Sequence, residues 1–154
     1  MILVSACLVG ENCKYDGGNN YNQAVVDYLR GREYIAFCPE LTAGLDTPRQ
    51  PCEIIGNGDG AGVVIGMCKV INNNMENLSS AFVEGARQAY RECQRHKIQM
   101  AILKDKSPSC GVYKIYDGSF SHKLKRGMGV TASLLNCNHI LVKSEEDIEK
   151  GLTP

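Results

Sequence analysis

The sequence predicts a three-layer α/β fold with a mostly parallel central sheet. Two observations predict it. Short apolar runs, Ile2 to Ala6, Tyr34 to Phe37, Ile98 to Leu103 and Ile140 to Val142, alternate with stretches of helical periodicity. That order builds parallel strands joined through helices. Three of the runs also lead into loops that present a cysteine, Cys7, Cys38 and Cys110, and open α/β sheets place ligands outside the carboxyl ends of their strands. A chain of 154 residues with 44% apolar content suits one domain, residues 1–154, with a sizeable core.

The elements follow in order. Ile2 to Ala6 is rich in β-formers and reads as a buried strand. Cys7 to Gly18 is a long loop whose glycines suit tight turns. Asn20 or Asn22 caps a helix running to Leu29, with Val25, Val26 and Leu29 inward and Gly31 as its stop. Tyr34 to Phe37 is the second core strand, and Cys38-Pro39-Glu40-Leu41 opens the second loop. Prolines and glycines punctuate Leu41 to Gly60, a rim segment of a length that is commonly functional. Ile54 and Ile55 form a short strand, and Ala61 to Val70 supplies a hairpin partner or another edge strand. Asn72 to Asn77 is a polar turn. Ser79 or Ser80 caps the longest helix, over 81–95, with Phe82, Ala86, Ala89, Tyr90 and Cys93 near one face.

Ile98 to Leu103 is the third core strand. It feeds the loop Ser107-Pro108-Ser109-Cys110-Gly111. Val112 to Tyr116 is short and extended and turns at Asp117-Gly118. Ser121 to Gly129 is basic. A helix begins near Gly129 or Thr131, and glycines ahead of a helix N-terminus either hold an anion or simply turn the chain. Ile140 to Val142 is the last strand. Ser144 starts the final helix without a full capping box, because Asp147 stands where that motif has Glu.

Lys plus Arg equals Asp plus Glu at 17 each, so no general steering of nucleic acid is implied. The expected partner is a small molecule and not duplex nucleic acid. No apolar run is long enough to span a bilayer and Met1 leads straight into a strand, which predicts a cytoplasmic protein. Eight cysteines without an export signal point away from disulfides, and tight C-x-x-C pairs are absent. The glycine fingerprint of a dinucleotide site is absent too, so no nucleotide cofactor is indicated.

Thiolates are soft ligands that favour zinc, copper(I) or iron–sulfur clusters. Cys7, Cys38 and Cys110 alone would leave an open position, and Cys13 as a fourth ligand would close the site. A cysteine nucleophile with Glu40 or Lys104 supplying local charge is a second reading, and three small buried hydrophobes are a third. Cys93, on the helix face, is most simply a core residue. Glu40 either relays a proton, if burial raises its pKa, or pairs with Arg49. His122 lies in the basic loop and faces water or meets a substrate.

Beyond these readings, the sequence resembles a known family. The motifs are Ser5-Ala6-Cys7-Leu8-Val9-Gly10, Cys13-Lys14-Tyr15-Asp16-Gly17, Cys38-Pro39-Glu40 and Thr47-Pro48-Arg49, then Ala101-Ile102-Leu103-Lys104, Ser107-Pro108-Ser109-Cys110-Gly111, Tyr116-Asp117-Gly118 and Gly129-Val130-Thr131-Ala132. In that order they resemble the bacterial domain of unknown function 523 family, which includes the thiouracil desulfurases. The resemblance implies an oxygen-sensitive [4Fe–4S] enzyme that removes sulfur from a thiolated base or nucleoside such as 2-thiouracil. It implies Cys7, Cys38 and Cys110 as cluster ligands, an open fourth iron for the substrate's sulfur, and Glu40 and Ser107 as catalytic groups. Cys13, Asp16, Arg49, Lys104, Ser109, Gly129 and Thr131 are additional candidates within the motifs. Val9, Ala43 and Asp46 depart from the usual pattern, and Asp46 is expected to put negative charge near the substrate rim. The alternatives are a closed metal-binding structural or binding module, and a cluster-free cysteine-dependent sulfur transferase.

Overall fold

A computed structural model describes residues 1–151. In chain order the strands are β1 (Ile2–Ser5), β2 (Tyr34–Phe37), β3 (Cys52–Ile55), β4 (Lys69–Asn72), β5 (Met100–Leu103), β6 (Lys114–Tyr116), β7 (Leu124–Arg126) and β8 (Leu141–Ser144). The helices are α1 (Gln23–Leu29), α2 (Pro39–Thr42), α3 (Gly60–Val64), α4 (Ser79–Arg95), α5 (Val130–Cys137) and α6 (Glu145–Glu149). The central sheet has the order β2-β1-β5-β8, and all its pairings are parallel. The fold is mixed α/β, as the alternating pattern predicts.

Period-two alternation along the strands sorts their side chains into two cores. Ile2, Val4 and Ile102 pack with Val25 of α1 and Ile148 of α6. Leu3, Ala101 and Leu103 pack on the other face with Ala89 of α4 and Leu135 of α5. Helices on both faces make three layers. A third core joins Ile54, Val63, Val70, Phe82, Ile115 and Val130, and seats the antiparallel β3–β4 pair near the N-terminal half of the same face of α4.

Several elements differ from expectation. The first loop does not start as coil: Ala6–Val9 is a 3₁₀ turn closed by Gly10 at φ 98°. Ala61 to Val70 is not one strand. Asp59 accepts a hydrogen bond from the Ala61 amide and starts α3, so the strand begins only at Lys69. Neither serine caps α4. Leu78 occupies the N-cap, Asn77 Oδ1 accepts from the Ser79 amide, and Ser79 Oγ accepts from the Val70 amide instead. The last helix does carry a capping box. The Asp147 carboxylate accepts from the Ser144 amide while Ser144 Oγ accepts from the Asp147 amide, the shorter acid reaching where Glu was expected. Leu124–Arg126, read only as a basic segment, pairs with β6 as a hairpin.

β1 has β2 on one side and β5 on the other. The chain therefore switches direction about β1, and a crevice opens at the carboxyl ends of these three strands.

Candidate active site

The loops that follow β1, β2 and β5 meet in that crevice. Its cavity, about 520 Å³, is lined by Cys7, Cys13, Cys38 and Cys110 together with Glu40, Arg49, Lys104 and Ser107. Cys13 and Cys110 are buried, while Cys7 and Cys38 are half-buried. All eight cysteines are free thiols. Among the described residues no three His, Cys, Asp or Glu side chains gather tightly enough to hold a single metal ion.

The four cavity thiols differ electrically. The Cys13 thiol lies within hydrogen-bond reach of both Cys38 and Cys7, and these contacts favour its protonated form. The same contact holds the Cys7 thiol below its ordinary range against the opposing effect of burial. It also brings Cys38 down to about 7, helped by the Leu41 backbone amide at the start of α2. Burial pushes Cys110 up in spite of a hydrogen bond with Ser5. Cys7 and Cys38 are thus the pair readiest to be thiolates.

Glu40 enters the cavity from α2, which Pro39 starts at its first position. Arg49 donates through Nε to Glu40 Oε2 at 2.9 Å, and its Nη2 reaches the same oxygen. Both of these contacts fall on Oε2, and neither uses Oε1. Burial raises the Glu40 pKa above the usual carboxylate value and outweighs the lowering by Arg49. Arg49 also donates to the carbonyls of Leu45 and Cys13, at 3.1 and 3.0 Å, which ties the first two cysteine loops together. Glu40 is thus ion-paired with Arg49, as one of its two sequence readings has it, and it also lines the cavity.

Ser107 caps its own loop. Its Oγ accepts hydrogen bonds from the amides of Ser109 and Cys110, both at 3.0 Å. With two lone pairs engaged, the hydroxyl has only its proton left to give. The loop around it is clamped from two sides. Asp105, 1% exposed, accepts through Oδ1 from the amides of Lys106, Val112, Tyr113 and Lys114. From the other side the N-terminal amides of α5 donate to loop carbonyls: Val130 to Pro108, and Thr131 and Ala132 to Ser109.

That second clamp corrects the anion reading of Gly129 and Thr131. The amides at the start of α5 are already spent on the loop. Gly129 permits the approach, since a Cβ there would lie 2.5 Å from the Ser109 carbonyl. Ser109 and Thr131 are fully buried, share a hydroxyl–hydroxyl hydrogen bond at 3.1 Å, and stand outside the cavity lining. Asp16 is exposed, caps Gly18 and pairs with Lys14. Asp46 is also exposed and does not line the cavity. Lys104 lines the cavity, but its ammonium pairs with Glu145 at 3.1 Å. Cys93 is a core residue of α4 whose thiol burial pushes up to about 11.

Sequence reasoning missed Ser5, Cys52, Glu53, Tyr116 and Phe120 on the cavity wall, and left His122 undecided. Tyr116-Asp117-Gly118, which reads as a turn and as one of the resembling motifs, was the available signal.

The sequence model of the 2-thiouracil desulfurase family matches residues 2–147. An uncharacterized protein of Bacillus subtilis (strain 168), YbbK, is 38% identical over 148 residues, covering 96% of this chain and 97% of its own. A solved [4Fe–4S]-dependent thiouracil desulfidase, TudS, superposes with a TM-score of 0.84 at 36% identity, covering 97% of this chain and 93% of that one. Among the described residues no helix is long and apolar enough to cross a membrane.

Proposed function

Because this chain belongs to the 2-thiouracil desulfurase family and is a desulfurase, we propose that it removes sulfur from a thiolated pyrimidine base such as 2-thiouracil. Water supplies the oxygen, the products are the oxo base and sulfide, and no net electron transfer occurs. The observation that carries this reading is the meeting of three strand-end thiols, Cys7, Cys38 and Cys110, with Glu40 and Ser107 in one cavity.

The donor set fits an iron–sulfur cluster, which is held by cysteine thiolates. These soft donors surround a cavity far larger than one ion, and two of them are already inclined toward the thiolate form. Cys7, Cys38 and Cys110 would hold such a cluster, with Cys13 remaining a thiol against Cys7 and Cys38. When bound, the cluster supplies a thiophilic Lewis acid that polarises the carbon–sulfur bond.

The remaining steps belong to the chain's own groups. Glu40, with its pKa raised by burial, takes a proton from the attacking water and returns it to the departing sulfur or a ring nitrogen. Arg49 fixes one Glu40 oxygen and leaves the other for that exchange. Ser107 donates its only free hydrogen-bonding group to the substrate. It does not act as a base, because its lone pairs face the Ser109 and Cys110 amides.

Anaerobic purification with iron, sulfide and zinc analysis, followed by 2-thiouracil turnover, tests the proposal. Iron and sulfide at four each per chain, the composition in the relative's name, together with release of uracil, is the expected outcome. Stoichiometric zinc without sulfide would favour a closed binding module, and a reactive thiol without metal would favour a sulfur transferase. Tight, salt-sensitive binding of tRNA would contradict the small-molecule partner.

A further inference from the structure

We infer that the tip of the β6–β7 hairpin reads the heterocyclic ring of the substrate, with Phe120 stacking on its face and His122 meeting its polar edge. The inference rests on the desulfurase reading and adds to it the recognition of the ring, as distinct from the thiocarbonyl.

The tip is held in a conformation it would not choose by itself. Phe120 has φ 54° and His122 has φ 60°, left-handed values that disfavour any residue with a Cβ. Strain of this kind persists where surrounding structure imposes it, and it gathers at ligand sites. Here the imposing group is Glu53 on β3. Its carboxylate, 9% exposed, accepts through Oε1 from the Gly118 amide at 2.9 Å and the Phe120 amide at 3.2 Å. Asp117 Oδ1 accepts from the Ser119 amide at 2.9 Å, and the Asp117 amide donates to the Lys123 carbonyl at 2.9 Å, closing the tip. Gly118 lies flat on β3, where a Cβ would be 2.6 Å from the Ile54 carbonyl. A buried carboxylate committed to two loop amides fixes where the next side chains go.

Those side chains go to the wall of the cysteine cavity. Phe120 and His122 line it together with Tyr116 of β6 and Phe37 of β2. A thiolated pyrimidine has apolar faces and a hydrogen-bonding edge. Aromatic side chains stack on such faces, and imidazole can donate to or accept from such an edge. The thiol, Glu40 and Ser107 groups act on the thiocarbonyl and do nothing to distinguish a ring from an open chain. The hairpin tip is the part of the wall suited to do so.

The test uses the cluster-loaded chain under anaerobic conditions with two substrates, 2-thiouracil and thiourea, which has the same N–C(=S)–N unit without the ring. Phe120→Leu is expected to raise KM for 2-thiouracil about tenfold, a size in keeping with loss of one base stack, with kcat within about twofold. The thiourea kcat/KM should shift by no more than about twofold, and Phe120→Tyr should restore the parent KM. Glu53→Ala should reproduce the Phe120→Leu pattern, while Glu53→Gln, whose amide oxygen still accepts both loop amides, should stay near the parent. Equilibrium dialysis of uracil against the same proteins reads ring recognition without turnover. A parent that binds uracil but turns over neither thio compound sinks the desulfurase reading; weaker uracil binding by Phe120→Leu in that protein still supports ring recognition. Equal losses on 2-thiouracil and thiourea, or an unchanged KM and unchanged uracil affinity in Phe120→Leu, overturn the inference.

Discussion

At the scale of single residues, the site separates groups that would hold a cofactor from groups that would act on the substrate. Cys7→Ala, Cys38→Ala and Cys110→Ala are each expected to lose both the brown cluster absorbance and turnover, because neither a carboxylate nor a hydroxyl replaces a soft thiolate. Glu40→Gln and Ser107→Ala should keep the absorbance and lose most turnover. Cys13→Ala should keep its iron; a Cys13→Ala protein that loads none while Cys38→Ala loads normally would overturn the ligand assignment. Asp105 poses a different question, since it touches loop amides through one oxygen while Oδ2 is buried without a hydrogen-bond partner. Asp105→Ala removes an acceptor shared by four amides, of which the Val112 amide is buried, and a buried donor left unpaired costs about 1–3 kcal/mol. A loss of about 1–3 kcal/mol is therefore expected in urea unfolding of the cluster-free chain. Asp105→Asn retains an oxygen for those amides and should lose less. Equal losses would show that the clamp is not what the carboxylate supplies.

At the scale of elements, α5 acts as a backstop for the Ser107–Cys110 loop. Gly129→Ala tests this, because its φ of −70° is comfortable for alanine and the contacts at stake are those with the backbone of Ser109 and Pro108. Overpacking of this kind costs about 1–3 kcal/mol, and here the strain falls on the loop that presents Cys110. The expected result is lower iron content on anaerobic reconstitution with a nearly unchanged far-UV spectrum; full iron loading would contradict the backstop role. This contact also marks the limit of what the sequence could disclose. β1 and β5 were legible because buried parallel strands are short apolar runs, the edge strand β2 because it is a run of apolar β-formers, and their loops because cysteine, proline and serine cluster there. The stretch around Gly129 left an anion site and a plain turn both open, because a glycine's close contact lies in a distant segment. α3 was misread because Ala61 to Val64 is too short to display a helical period and its start depends on the Asp59 side chain. Glu53 gave no signal either. Its partners, Gly118 and Phe120, are more than sixty residues away, and nothing local distinguishes it from a surface acid on an edge strand.

At the scale of the whole molecule, the site sits at the margin of the cores, with Cys110 packed into one of them and Cys7 against another. The layers are held by apolar packing on both faces of the parallel sheet and under α4. The cysteine loops are also held by contacts other than those of their thiols. The first is pinned by the Asn20 and Asn22 amides donating to the carbonyls of Cys7 and Leu8. The second is pinned by α2 and the Glu40–Arg49 pair, and the third by Asp105 and α5. This differs from a zinc finger, where metal binding is the folding free energy. Removing the cluster anaerobically with a chelator should therefore leave the far-UV circular dichroism and a cooperative urea transition in place. Stability should fall only by the share that ligand binding contributes to the native state. The stripped chain should also take up iron and sulfide again without passing through denaturant. A chain that loses its far-UV spectrum on stripping would mean that the thiols hold the loops, and that Asp105, Arg49 and α5 follow the cluster into place instead of preparing for it.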